Sequence, residues 1–270
     1  MTRPPRGARF PAALGKPAAA PSAPAADVLR PQRPLHDAAR EAARRVQPAG
    51  LGLDSDAVRT RMVARLRAGG ITNERVLGAF AAVPRHLFVD SALAIQAYED
   101  TSLPIGLGQT ISKPSVVARM LALLHEGDGA RASGSLGRVL EIGTGCGYQT
   151  ALLELLGRGV VSIERLKGLH DKARENLAGR RRGDTRLLHG DGRLGHSPNA
   201  PYDSIVAAAG GEDLPPAWLE QLAPGGRLVA PMHDPASGGQ VLLVIDRRAD
   251  GIHRRLHEAV HFVPLKSGTA

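Results

Sequence analysis

The 270 residues include a single cysteine, Cys146. The chain can therefore form no internal disulfide, and a lone thiol without a Cys-x-x-Cys partner offers no redox couple. A small thiol between glycines is expected to serve packing, and its solitary state suits a reducing cytosol. Aromatic residues make up 3% of the chain, too few for the stacking platforms on which single-stranded nucleic acids are held. No apolar run exceeds strand length, so neither a membrane-spanning helix nor a secretory core segment is expected. His253, His257 and His261 recur at the spacing of helical metal ligands, but "HFVPL" reads as strand. Residues four apart in a strand stand ~13 Å from one another, and no metal site is expected.

Charge is present but unevenly placed. Residues 1–50 hold eight arginines and Lys16 against Asp27, Asp37 and Glu41, which is +6 of the net +9. The basic balance describes a tail rather than a folded face and is no argument for a nucleic-acid partner. The same stretch holds nine of the 20 prolines among many alanines. With almost nothing to bury, residues 1–53 are expected to be a disordered extension and residues 54–270 a single catalytic domain. Arg180, Arg181 and Arg182 are expected in a solvated loop.

Helical spacing begins after Asp54, a candidate cap, with Val58, Met62 and Leu66, and stops at Gly69 and Gly70. A second helix carries Val76, Leu77, Phe80 and Val83 and ends at Pro84. After an irregular Gly/Pro-rich stretch, a third starts at Pro114 with Val117, Met120, Leu121 and Leu124 on one stripe. These helices, about 54–125, lead into the core. From Arg138 onward strands and helices alternate: "RVLEI", a helix, "VVSIE", a helix, "TRLLH", "YDSIVAAA", a helix near Trp218, then "RLVAP". Such alternation predicts an α/β fold, a mostly parallel sheet with helices on both faces. "QVLLVIDR" and "HEAVHFVPL" follow without a helix between them, which predicts an antiparallel C-terminal edge.

In "VLEIGTGCGYQ" an apolar strand runs into Gly143, Gly145 and Gly147 before a helix begins, a form that lets backbone approach a ligand. Glu164 ends the next strand 21 residues after Gly143, near the offset at which a carboxylate meets ribose hydroxyls. A dinucleotide-binding oxidoreductase shares these features. However, its G-x-G-x-x-G pattern requires a third glycine where Tyr148 stands. The observed G-x-G-x-G, preceded by Glu141, is the Rossmann-like form of class I S-adenosylmethionine-dependent methyltransferases. Asp191, between glycines at the end of the third strand, can accept from an adenine amino group, although Asp-Gly also serves simple turns.

Across residues 55–268 the chain resembles the protein-L-isoaspartate (D-aspartate) O-methyltransferase family. The matching segments include "AVPRHLFV", "AYED", "LPIGLGQTISKPSVVARM", "VLEIGTGCGYQTA", "GDGRLG", "APYDSIV", "QLAPGGRLVAPM" and "FVPLKSG". "GQTIS" is the most restricted of them. The resemblance implies Ser112 as the active-site hydroxyl and Thr110, Ile111, Ser112, Gly143, Gly145, Glu164, Asp191 and Gly192 as contacts to S-adenosyl-L-methionine. It further implies isoaspartyl proteins and peptides as substrates; a cytoplasmic monomer is expected, with no nucleic-acid or membrane partner given the scarce aromatics and short apolar runs. Two departures touch the substrate loops: Lys113 where Gln is common, and Ala208, Gly210 and Gly211 in place of the usual threonine and proline.

The implied chemistry needs few groups. The acceptor is a free α-carboxylate, ionised at neutral pH, so no general base is required. An RNA or metabolite methyltransferase would keep the cofactor site and change the acceptor. A non-catalytic module of this fold would be expected to lack Glu164 or Asp191.

Overall fold

The computed structural model describes residues 56–179 and 184–270, all within the unit Ala49–Ala270. The expected disordered extension over 1–53, the Asp54 cap and the arginine run at 180–182 lie outside the described residues.

Helix α1 (Asp56–Ala68) buries Met62 and Leu66 and stops at Gly70, whose φ of 97° a side chain would resist. Helix α2 (Glu74–Ala82) starts at Asn73, whose side chain accepts from Arg75 N and Val76 N, and buries Val76, Leu77, Ala79 and Phe80. Two 3₁₀ turns follow, Arg85–Phe88 and Ser91–Tyr98. The stretch expected to be irregular holds a small antiparallel hairpin, β1 (Leu103–Gly106) with β2 (Gln109–Ile111). At four and three residues its strands are too short for alternation to mark them as strands in the sequence. Helix α3 (Pro114–His125) has Pro114 in its first turn and is buried along most of its length. The short α4 (Asp128–Ser133) leads to the sheet.

The alternating units are β3 (Arg138–Ile142), α5 (Tyr148–Leu156), β4 (Gly159–Glu164), α6 (Lys167–Asn176), β5 (Asp184–His189), β6 (Tyr202–Ala207), α7 (Pro216–Gln221), β7 (Leu222–Asp234), β8 (Gly239–Arg248) and β9 (Gly251–Val260). They form one sheet in the order β5-β4-β3-β6-β7-β8-β9. Pairing is parallel from β5 through β7 and antiparallel for β7, β8 and β9. The expected α/β architecture is therefore present, including its antiparallel edge. Successive residues of the central strands feed two cores. Val139 and Val160 face one, with Phe80, Leu121 and Leu152; Leu140 and Val161 face the other, with Trp218 and Tyr202.

The chain enters the sheet at an interior strand, β3, builds outward to β5, then returns to place β6 on the other side of β3. That reversal opens a crevice at the carboxyl ends of the strands, where Ile142, Ile163 and Ala207 lie in register. The last strand departs from expectation. It ends at Val260 rather than running through "HFVPL", so residues 263–265 leave the sheet and run beside Gly210, with Gly210 N donating to Val263 O at 2.8 Å and Leu265 N to Gly210 O at 2.7 Å. Among the described residues no helix is long and apolar enough to cross a membrane.

Candidate active site

The carboxyl-end crevice is a cavity of about 390 Å³, within the range that encloses a nucleoside-sized ligand. Seven of the eight nominated residues line it: Thr110, Ile111, Ser112, Gly143, Gly145, Glu164 and Gly192. The exception is Asp191, which stands just outside.

The floor is the turn between β3 and α5. Gly143, Gly145 and Gly147 have φ of 88°, 56° and 90°, a left-handed sequence that explains the alternating glycines better than close approach alone. A buried polar hub holds this turn. Glu141, completely buried, accepts from Thr150 Oγ1 at 2.5 Å and from Ser162 Oγ at 2.6 Å, and Ser162 Oγ lies 2.6 Å from Thr144 Oγ1. Burial pushes the Glu141 carboxyl up to about 7, against the pull of its hydrogen bonds from Ser162 and Thr150. Burial likewise raises the Cys146 thiol, which lines the cavity as an inert packing group.

Glu164 is 5% exposed at the end of β4. Its Oε2 accepts from Gly145 N at 2.9 Å and its Oε1 from Leu166 N at 3.0 Å. The carboxylate thus ties the glycine turn to the loop after β4, while each oxygen keeps a lone pair for a ligand hydroxyl. Asp191 caps the short turn after β5 by accepting from Arg193 N at 2.9 Å. Its other oxygen accepts from Gly268 N at 2.7 Å. Gly192 O is held by Trp218 Nε1 at 2.8 Å, so the buried indole fixes this wall of the cavity.

On the opposite wall Ser112 joins the hairpin to α3. Its carbonyl accepts from Arg85 Nη2 at 2.7 Å. Its hydroxyl meets no hydrogen-bond partner among the described residues. At the start of α3 a main-chain N–H is taken instead by Asp100, which accepts from Ser115 N at 2.8 Å and Ser115 Oγ at 2.7 Å.

Residues 263–266 also line the cavity, a contribution absent from the sequence reading although "FVPLKSG" was among its matching segments. The segment is fastened beyond the cavity as well. Arg165 Nε donates to Gly268 O at 3.1 Å, Ala270 N to Arg165 O at 2.8 Å and Lys167 N to Ala270 O at 2.7 Å. The departures at 208–211 belong to this arrangement. A Cβ on Gly210 would collide with the Gln240 side chain, whose amide accepts from Phe262 N and donates to Phe262 O, and one on Gly211 would stand 3.0 Å from Asp213 O. Lys113 is exposed and does not line the cavity; nothing in the structure explains its replacement of Gln.

The donor set fits S-adenosylmethionine. A strand-end carboxylate suits ribose hydroxyls, the amino end of α5 suits the carboxylate of an amino-acid tail, and Ile142, Ile163, Leu166 and Leu265 offer apolar surface to a flat base.

A sequence model of protein-L-isoaspartate(D-aspartate) O-methyltransferase matches residues 57–270. A protein-L-isoaspartate O-methyltransferase of Methylibium petroleiphilum is 65% identical over 262 residues, 97% of this chain and 96% of the relative. One of Leptothrix cholodnii is 64% identical over 242 residues, 89% and 84% of the two chains. Among solved structures, a protein-L-isoaspartate O-methyltransferase superposes with a TM-score of 0.68 at 25% identity, over 77% of this chain and 66% of that longer one. A Plasmodium falciparum protein described as a protein-L-isoaspartate O-methyltransferase, crystallised with S-adenosyl-L-homocysteine, shares the fold with a TM-score of 0.63 at 24% identity, over 76% of this chain and 97% of that one.

Proposed function

Because this chain belongs to the protein-L-isoaspartate(D-aspartate) O-methyltransferase family, we propose a division of labour among its cavity residues for methylating the free α-carboxylate of isoaspartyl residues. The chain is an S-adenosylmethionine-dependent methyltransferase of damaged proteins and peptides.

When bound, the cofactor supplies an electrophilic methyl group on a sulfonium. Glu164 would accept from its ribose hydroxyls, Gly192 would line the adenine with Asp191 reaching it from the rim just outside the cavity, and Thr110, Ile111, Gly143 and Gly145 would contact it through the hairpin and the glycine turn. Ser112 donates its hydroxyl to the acceptor carboxylate and orients one oxygen for in-line attack. No residue removes a proton, since the carboxylate arrives ionised. The remaining task is placement and exclusion of water, to which residues 263–266 contribute by closing one side. The single observation that carries this reading is the Ser112 hydroxyl: it lines the cavity beside the glycine turn and is free of protein hydrogen bonds among the described residues.

The same proposal makes the partner a polypeptide rather than a nucleic acid, the enzyme a monomer and its location the cytoplasm, the last on the strength of the single unpaired thiol. It also keeps residues 1–53 outside the catalytic domain. The test is incubation of the full chain with methyl-labelled S-adenosylmethionine and a peptide pair, isoaspartyl and normal aspartyl. Label is expected in the first alone. Equal labelling of both, or of neither, overturns the reading.

A further inference from the structure

Arg85 opens the first 3₁₀ turn and is completely buried, 0% exposed. Its guanidinium makes one hydrogen bond, Nη2 to Ser112 O at 2.7 Å. Its Cζ lies 4.9 Å from the centroid of the Tyr148 ring, a cation–π contact. Among the described residues Nε and Nη1 meet no protein hydrogen-bond partner, and no carboxylate comes within ion-pair distance. Asp100 acts on it only from farther away, with both its oxygens engaged by Ser115. Arginine keeps its proton even where burial opposes the charge, so a cation sits inside the protein with no counter-ion among the described residues.

Stability does not account for such a group. A buried charge without a partner costs free energy, and an apolar side chain of similar shape generally serves a core as well or better. Its location is the telling feature. Ser112, Cys146 and Tyr148 line the cavity, whereas Arg85 does not. It stands behind the wall made by the residues it touches, at the end where Ser112 offers its free hydroxyl.

We propose that Arg85 is a positioning residue whose missing counter-ion is the acceptor carboxylate itself. This rests on the isoaspartyl reading above. Its hydrogen bond fixes the main chain of Ser112, and its charge, acting through a wall of low polarity, favours the ionised acceptor at this end of the cavity. During transfer a carboxylate oxygen forms the new O–CH₃ bond as the S–CH₃ bond breaks and its electron pair remains on sulfur. The carboxylate becomes a neutral ester, so Arg85 holds substrate and releases product.

The test uses the full chain saturated with S-adenosylhomocysteine, which lacks the sulfonium charge, and calorimetric titration with an isoaspartyl peptide and its neutral α-carboxamide twin. The wild-type complex is expected to bind the acid at least tenfold more tightly. Arg85→Met should bring the two affinities within about threefold while leaving that of the amide nearly unchanged, and Arg85→Lys should restore most of the preference. Arg85→Gln, which keeps a donor for Ser112 O, replaces the Met variant if that one does not fold. A merely structural role would weaken acid and amide together. Equal binding by the wild-type complex, or an intact preference in a folded neutral variant, overturns the proposal. Failure of the wild type to label the isoaspartyl peptide at all would instead overturn the functional reading on which it rests.

Discussion

Asp100 caps helix α3 from 15 residues upstream, accepting from both the main chain and the hydroxyl of Ser115, and so leaves Ser112 with no structural duty for its side chain. Ser112→Ala should therefore remove no cap. The expected result is methylation slowed by roughly one to two decades, the loss of about 1–3 kcal/mol in one orienting hydrogen bond. Cofactor affinity and the urea midpoint should be unchanged. Steady-state rates beside a denaturation curve check this, and a drop in the midpoint would give the serine hydroxyl a structural role.

Glu164 does more than its strand-end position suggested, because its oxygens also receive Gly145 N and Leu166 N. Glu164→Ala should lower S-adenosylhomocysteine affinity roughly tenfold to a hundredfold, with the upper end favoured by a loosened glycine turn. Calorimetry on the variant decides. An unchanged affinity would remove Glu164 from the cofactor site.

The C-terminal segment predicts a rate rather than an affinity alone. Deleting residues 267–270 removes the bonds from Gly268 N to Asp191, Arg165 Nε to Gly268 O, Ala270 N to Arg165 O and Lys167 N to Ala270 O. Partly exposed bonds of this kind sum to about 1–2 kcal/mol. S-adenosylhomocysteine should leave about ten times faster in a stopped-flow displacement, and an unaltered release rate would mean that this cover does not limit exit.

Two buried groups give stability opposite dependences on pH. Glu141 is pushed up to about 7 from an ordinary value of 4.5, so between those values the folded state holds a proton the unfolded state has lost, and stability falls as pH rises. His125 is pushed down to about 4, by burial first and by the charge of Arg75 second. Below about 6.5 the unfolded state takes a proton the folded state refuses, and stability falls as pH drops. Each contributes about 3 kcal/mol at most, and they offset one another between pH 4.5 and 6.5. Glu141→Gln should expose the histidine's loss on acidification, and His125→Gln the carboxyl's gain. Urea midpoints from pH 4.5 to 8 check both, and parallel curves for the two variants would contradict the assignment.

Removing residues 1–50 should leave activity toward a short isoaspartyl peptide and the melting temperature nearly intact, since a Pro/Ala/Arg-rich tail has little to bury. A melting point lower by several degrees would place the domain boundary further upstream.

Much of the molecule was legible as local pattern. The alternation of strand and helix, the glycines at 143, 145 and 147 and the carboxylate of Glu164 depend on spacings of a few residues to about twenty, and backbone sterics and strand period impose these whatever else the chain does. The hairpin of β1 and β2 was not legible, because three- and four-residue strands carry no period. The end of β9 was misplaced for a related reason. "HFVPL" has strand composition, but its pairing partner is Gly210 rather than the sheet. Sequence by itself thus determined the fold class and the glycine turn, and nominated Ser112 through its resemblance to a family. Tertiary structure alone decided that Asp191 meets Gly268 77 residues later, that Asp100 rather than Ser112 binds the start of α3, and that Arg85 is buried with no counter-ion among the described residues. In sequence an arginine after a proline looks the same in solvent or in a core. Only packing from distant elements removes the water that would otherwise screen its charge, and with the water gone the charge acquires a role.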